Sequence, residues 1–419
     1  MSSFSSPPAP LQFVNCLLPS PPASTTPSQP PSLAAPSLAA LSLFVDSSSG
    51  LILDSRTAFY GNPPSTPVDC GGDILAPGFV DIQLNGAFGV DFSAPSLSLA
   101  DVAACSARLL STGVTSYCPT LVSLSPPVYA KVLPVFSSYL SSPPPSAAAA
   151  AAVLGVHAEG PFFNPSMRGA HEPSNIVPPS PPTPATFSSV YGAPIDRSPI
   201  VLTTLAPEQP GALPFIELLT DNRIKVSLGH SAADYETGVA AVGAGATLLT
   251  HLYNQMTPFH HRKPGLIALL ASPAPPNYSI IADGVHVAPA AVRCAWEMSR
   301  KMVLVTDAMA AMGLGDGAHK LGTMDVTKEG GRAVLTGTET LAGSVASMEL
   351  CVRKMKEFTG CGAAEAIWAA TGQPASVLGL EDRGNLRAGS RADLVLLDKD
   401  TLEVKKTYLG GRLVWERDK

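Results

Sequence analysis

Between Lys225 and Met256 the chain reads KVSLGHSAADYETGVAAVGAGATLLTHLYNQM, and this stretch restricts the fold more than any other. An apolar run of strand length, containing Val226 and Leu228, ends at Gly229-His230. Ser231 and Asp234 then form an S-x-x-D helix start. The helix is predicted over Tyr235 to Val242, with Gly243 and Gly245 as its stop. A second buried-strand run, Ala246 to Thr250, ends directly on His251. The unit is therefore β-α-β, with a histidine just past the carboxyl end of each strand. Two parallel neighbours joined by such a crossover place both imidazoles at one rim.

That arrangement suits a metal ion. A catalytic zinc-type site takes about three protein ligands and leaves a position for water, so a third ligand is expected at another strand end. The run Val153 to Glu159 supplies Glu159, and Gly160-Pro161 breaks the chain immediately behind it. The alternative is that His230 and His251 are separate core histidines, each satisfied internally. Matched positions at two strand ends, with a carboxylate at a third, weigh against that alternative.

The same rhythm recurs along the middle of the chain. Strand-length apolar runs end in polar or ionisable residues at Phe79–Gln83, Val114–Thr120, Val153–Glu159, Ile200–Leu205, Val226–His230, Thr247–His251, Ser279–Asp283 and Met302–Asp307. Helices are predicted between several of them, at Leu99–Leu110 with Gly113 as its stop and at Ala288–Arg300. Eight alternating units over about 250 residues fit a (β/α)8 TIM-type barrel, whose chemistry sits at the carboxyl ends of its strands. A doubly wound sheet is the competitor, but no G-x-G-x-x-G follows the first strand.

Strand-like runs also occur near both ends, at Leu41–Val45, Gly50–Asp54, Val68–Cys70, Ala392–Asp398 and Gly411–Trp415. They predict a small β-sandwich domain formed from both termini, over residues 41–76 and 385–419, around a barrel at 77–384. Residues 1–40, rich in Pro, Ser and Ala, read as a low-complexity segment. Two further low-complexity stretches, Ser141–Ala152 and Val177–Pro184, read as surface spacers.

Charge and cysteine usage narrow the function classes. With a formal net charge of -6 and only 14% charged residues, a broad nucleic-acid surface is not expected. Seven cysteines lie dispersed without C-x-x-C spacing, which reads as reduced intracellular thiols. No basic n-region precedes a proline-free apolar stretch, and no apolar run is long enough for a membrane span, so a cytoplasmic location is the expectation.

Other ionisable groups gather at the predicted rim. Asp307 closes the eighth strand, where a carboxylate can take a proton from an attacking water and return it to a leaving group. Its alternative is a cap on the following loop. His171, in the loop after the third strand, and His286, just past the seventh, are candidate binding residues or surface histidines. The loop Asn254 to Gly265 concentrates His260, His261, Arg262 and Lys263 in a chain poor in charge. Such a cluster favours an anion, and arginine suits the oxygens of a phosphate or carboxylate.

Seven segments together carry a resemblance. They are LAPGFVDIQLNG from Leu75, GVHAEGPF from Gly155, LAPE from Leu205, SLGHS from Ser227, THLYNQM from Thr250, IADGVH from Ile281 and LVTDA from Leu304. In order and in register, they resemble the N-acetylglucosamine-6-phosphate deacetylase family of the amidohydrolase superfamily. The resemblance implies a barrel with a small β-sandwich, with Glu159, His230 and His251 as metal ligands and Asp307 as catalytic aspartate. It implies substrate contacts from His171 and His286 and phosphate contacts from the Asn254-Gln255 segment and Arg262, the last across the interface of a homodimer. Where related enzymes carry His-x-His this chain has Gln83-Leu84-Asn85, so a single divalent metal ion per subunit is expected. The ligand set favours Zn²⁺, with Fe²⁺, Mn²⁺ and Co²⁺ as alternatives. A related amidohydrolase acting on a different N-acyl or cyclic amide substrate, such as N-acetylgalactosamine 6-phosphate or an N-acyl amino acid, and a non-catalytic scaffold are the competing readings; the Arg262 cluster argues for a phosphorylated substrate.

Overall fold

The computed structural model describes residues 9–20, 37–54, 56, 58, 60 and 65–418. Eight parallel strands follow one another around a barrel: Phe79–Leu84, Val114–Leu121, Val156–Glu159, Ile200–Leu205, Lys225–Leu228, Leu248–Leu249, Asn277–Ile280 and Met302–Leu304. All eight predicted runs are present. The ring closes where Leu84 bridges Ala308 in parallel, and where the Asp307 amide donates to the Gln83 carbonyl at 2.8 Å. The strands are buried along nearly their whole length because both faces are covered. Alternate residues divide between two cores. Val80, Ile82, Cys118, Leu202, Leu248, Val303 and Val305 form an inner cluster, while Phe79, Val114, Tyr117, Leu228, Leu249 and Leu304 belong to the cluster that meets the surrounding helices.

The helices obey local signals. Leu99–Leu109 starts at Ser98 in a reciprocal capping box with Asp101, and after a short 3-10 turn Gly113 ends it at φ 80. Tyr235–Gly243 is capped by Asp234, whose side chain accepts from the Thr237 amide. Ser231, expected to share in that helix start, does something else: its hydroxyl donates to Glu208 at 2.7 Å. The predicted helix over Ala288–Arg300 is Pro289–Met298, shortened at each end. No described helix is long and apolar enough to cross a membrane.

Both ends of the chain meet in a seven-stranded sheet ordered Leu38–Val45, Leu11–Pro19, Ile74–Pro77, Leu394–Leu397, Val404–Leu409 and Arg412–Glu416, with Thr66–Asp69 paired to Leu11–Pro19. One face, through Ile74, Ala76, Val395 and Leu397, joins the barrel's outer core; the other, through Phe13, Leu43, Leu75 and Leu394, encloses a core of its own. Here the sequence expectation needs correction. Residues 11–19, assigned to the low-complexity segment, form a nine-residue strand, one in from the edge of this sheet. Its alternation is broken by a register shift between Phe13 and Cys16, where Asn15 sits at φ 51, so the period-2 signal was hidden. Stretches 1–8 and 21–36 of that segment lie outside the described residues.

The other two low-complexity stretches carry short elements, a 3-10 turn at Pro145–Ala149 in one and an irregular loop ahead of the helix Pro184–Tyr191 in the other. A three-stranded antiparallel sheet, Gly317–Leu321, Met324–Glu329 and Arg332–Leu335, follows the eighth strand and was not anticipated.

Candidate active site

At the carboxyl end of the barrel a cavity of about 310 Å³ is lined by Asn85, Glu159, His171, His230, His251, Asn254, Gln255, His286 and Asp307, among others. All but one of the site residues expected from the sequence thus meet in one place. Arg262 does not: it lies on an exposed loop with His260, His261 and Lys263, outside the cavity lining.

Three of the side chains that follow barrel strands, and Gln255 at φ 51 beyond them, reach this cavity through unusual backbone. His230, His251 and Asp307 each follow a strand at positive φ, 50, 28 and 48° respectively. A residue with a β-carbon in that region carries about 1–3 kcal/mol of strain, which a well-packed surrounding must hold in place. The kink turns each side chain off the strand line and into the barrel mouth. His230 is further fixed by stacking on Phe163, with ring centres 4.1 Å apart and planes 13° apart.

Glu159, His230 and His251 converge on one point. Glu159 Oε1 lies 3.0 Å from His251 Nε2 and 3.4 Å from His230 Nε2, and the two imidazole nitrogens are 3.1 Å apart. His230 donates Nδ1–H to the Met167 carbonyl at 2.8 Å, which leaves the Nε2 lone pair facing that point. Burial would raise the Glu159 carboxyl, but the two imidazoles outweigh it and hold it well below its ordinary range. Burial would lower His251, yet Glu159 outweighs it and raises the ring, whereas burial, helped by His251, holds His230 below its ordinary value. This donor set, two imidazole nitrogens and a carboxylate oxygen, fits a divalent transition metal.

Glu159, His171 and His230 also offer ligand atoms within 4.8 Å of one another. Proton placement separates His171 from the other two. Its Nδ1 accepts from the Ser123 amide at 3.0 Å, so a neutral ring carries its proton on Nε2, as a donor and not a metal ligand. Burial, helped by His230, pushes His171 down to about 3, which keeps the ring neutral. His157, two residues before Glu159, is a satisfied core histidine, bonded to Thr204 Oγ1 at 2.8 Å and to the Ile82 carbonyl at 3.1 Å.

Asp307 is held from the first strand. Its Oδ1 accepts from Asn85 Nδ2 at 2.7 Å and from Gln83 Nε2 at 3.3 Å, and Gln83 Nε2 also donates to Glu159 Oε1 at 2.8 Å. Burial and the nearby Glu159 charge raise the Asp307 carboxyl to about 7. Reading Gln83-x-Asn85 only as weak metal ligands missed this role, although their position beside the eighth strand was the available signal. His286 donates Nδ1–H to Asp283 at 2.7 Å, which presents Nε2 as an acceptor.

Two other features were not foreseen. Glu208 ties three rim loops together, accepting from Asn164 Nδ2 at 2.9 Å, Ser231 Oγ at 2.7 Å and the Ala232 amide at 2.6 Å. Leu321, Glu339, Thr340, Leu341 and Gly343, from the extra three-stranded sheet and the loop behind it, wall one side of the cavity.

A closed parallel barrel with buried histidines and carboxylates at one mouth is the architecture of a metal-dependent hydrolase, and residues 74–414 match the amidohydrolase family model; the chain belongs to that family. Its relatives there include N-acetylglucosamine-6-phosphate deacetylases and, at 35% identity over 86% of this chain and 93% of its own, an N-acetylgalactosamine-6-phosphate deacetylase from Escherichia coli O157:H7. The N-acetylglucosamine-6-phosphate deacetylase from Homo sapiens is 47% identical over 379 residues, covering 88% of this chain and 90% of its own. Among solved structures, the deacetylase from Thermotoga maritima superposes with a TM-score of 0.80 at 28% identity, covering 97% of this chain and 100% of its own. A mutant of the Mycobacterium smegmatis deacetylase, solved in complex with N-acetyl-D-glucosamine-6-phosphate, gives 0.79 at 29% identity with the same coverage.

Proposed function

We propose that this chain hydrolyses the acetamido group of N-acetylglucosamine 6-phosphate, releasing acetate and glucosamine 6-phosphate. The observation that carries the proposal is the Asp307 carboxylate, fixed through Oδ1 by two side-chain amides beside the Glu159–His230–His251 trio. With Oδ1 occupied, Oδ2 takes the proton of the attacking water and afterwards delivers it to the departing amine. His171 Nε2–H points its proton at the acetyl oxygen, where charge develops in the transition state. His286 Nε2 accepts from a sugar hydroxyl. A divalent cation held by Glu159, His230 and His251, with zinc favoured over iron, manganese or cobalt, would supply Lewis-acid stabilisation of charge on oxygen.

The phosphate falls to the Asn254-Gln255 segment and to Arg262 of a second copy. Exposure of Arg262 outside its own chain's cavity supports this homodimeric reading. Seven free cysteines, six of them buried, support a reducing, cytoplasmic setting.

The test is acetate release from N-acetylglucosamine 6-phosphate and from the unphosphorylated sugar, before and after chelation and metal add-back. Turnover confined to the phosphorylated sugar, lost with the metal and restored by it, is expected. Equal turnover of both sugars, or turnover that survives full removal of the metal, would overturn it.

A further inference from the structure

Asn85 carries one polar atom that its hydrogen bonds to the rest of the chain do not use. The side chain is 2% exposed, and its orientation is settled by its neighbours. Nδ2 faces Asp307 Oδ1 at 2.7 Å and the Asp307 carbonyl at 3.5 Å; a carbonyl can only accept, so the nitrogen must be on that side. The backbone is clamped as well, with the Asn85 amide donating to the Ala308 carbonyl at 2.8 Å and its carbonyl accepting from Phe92 at 3.0 Å. Oδ1 is left buried with no protein partner, in a residue that lines the cavity. Leaving a buried acceptor unpaired is costly, so one left in the wall of a cavity calls for a ligand.

We infer that Asn85 Oδ1 is a substrate-binding acceptor for the N–H of the scissile acetamide. The inference rests on the deacetylation proposed above. Asp307 must reach the same nitrogen to protonate it, and Asn85 is bonded to Asp307, so the acceptor and the proton donor flank one atom. The chemistry makes this contact strengthen along the reaction. In the amide the N–H is a neutral donor; once the carbon is tetrahedral and the nitrogen takes a proton from Asp307, its N–H bonds belong to an ammonium, whose hydrogen bonds are roughly twice as strong. The C–N bond then breaks with its electron pair leaving on nitrogen, and the amine departs still held by Oδ1. Asn85 therefore serves two atoms: through Nδ2 it orients the acid-base, and through Oδ1 it holds the leaving group.

Those two roles separate in a background that lacks Asp307. Binding of N-acetylglucosamine 6-phosphate and of its oxygen-ester isostere, with O in place of the acetamido N–H, is measured by calorimetry on metal-loaded Asp307→Ala protein. The same pair is then measured on Asp307→Ala/Asn85→Ala. With Asp307 gone, Asn85 has nothing to orient, so any effect is its own contact with ligand. The amide is expected to bind Asp307→Ala protein about fivefold to tenfold more tightly than the ester, the worth of a hydrogen bond. The double variant is expected to lose that preference. Equal affinities for amide and ester in Asp307→Ala protein would overturn the inference, and this arm needs no Asn85 variant to fold. A preference that survives in the double variant would overturn it too. Absence of binding to either ligand, together with no turnover by the unmodified protein, would instead overturn the deacetylase reading itself.

Discussion

The two ends of the active site are built on opposite principles. The floor, formed by Gln83, Asn85, Glu159, His171, His230, His251 and Asp307, is buried throughout. Hydrogen bonds within the chain orient most of its side chains, which stand in left-handed backbone at three positions. The cationic loop at 260–263 is exposed, and its bonds are local, from the Lys263 amide to the His260 carbonyl at 2.9 Å and from the Arg262 amide to His260 Nδ1 at 3.3 Å. Desolvated groups act with little screening and cost much when left unpaired; exposed charges act at longer range and weaken with salt. The floor should therefore govern the chemical step and the loop the capture of substrate.

The largest effect expected from this contrast is on Asp307. Asp307→Asn keeps the shape and the acceptor for Asn85 while removing the base, so kcat should fall by about 10³ or more with metal content unchanged. Steady-state acetate release and metal analysis check both halves; retained turnover would end the acid-base assignment. Next, His171→Phe removes one donor to the developing oxyanion and should lower kcat by about 10² without a matching rise in KM.

Arg262→Ala should do the reverse, raising KM for the phosphorylated sugar about tenfold at nearly constant kcat. Its deficit should shrink in concentrated salt, where the loop's attraction is screened in the unmodified protein as well. Mixing inactive Asp307→Asn with Arg262→Ala chains sharpens this further. If the loop serves the partner's cavity, mixed dimers regain one complete site, and affinity recovers in part; no recovery after subunit exchange would place Arg262 on its own cavity instead.

The smallest expected effect is on stability. Asp307 is raised to about 7 in the folded, metal-free chain, against about 3.9 in an unfolded one. The folded chain therefore holds that proton more tightly. The contribution favours the fold fully below the unfolded value and is lost as pH rises through about 7. Chelated Asp307→Asn lacks this loss, so it should melt a few degrees above the chelated parent at pH 8, with the gap narrowing at pH 5. Parallel melting curves across that range would contradict the raised carboxyl.

The barrel was legible because its strands are buried on both faces and each ends in a punctuating residue, as at Gly229-His230 and Thr250-His251. The meeting of Glu159, His230, His251 and Asp307 at one mouth was legible for the same reason, since the carboxyl ends of parallel barrel strands share one rim. What could not be read depends on contacts between distant segments. The Asn85–Asp307 bond spans 222 residues. The wall from Leu321 and Glu339 to Gly343 comes from a small sheet, whose charged, half-exposed strands carry no inward signal, and from the loop behind it. Leu11–Pro19 was lost in its Pro- and Ser-rich surroundings, and Ser231 was misread because a side chain 23 positions earlier claims its hydroxyl.

Closure of the barrel between Gln83–Asn85 and Thr306–Ala308 also sets when the protein can work. These contacts have a sequence separation of more than 220 residues, and contacts of such separation are slow to form because a long loop must be closed first. A chain released or truncated before residue 302 would have seven of its eight barrel strands and Glu159, His230 and His251, yet no Asp307 for Asn85 to hold. During refolding, recovery of secondary structure should precede recovery of turnover, and the delay between them times the docking of the last strand against the first.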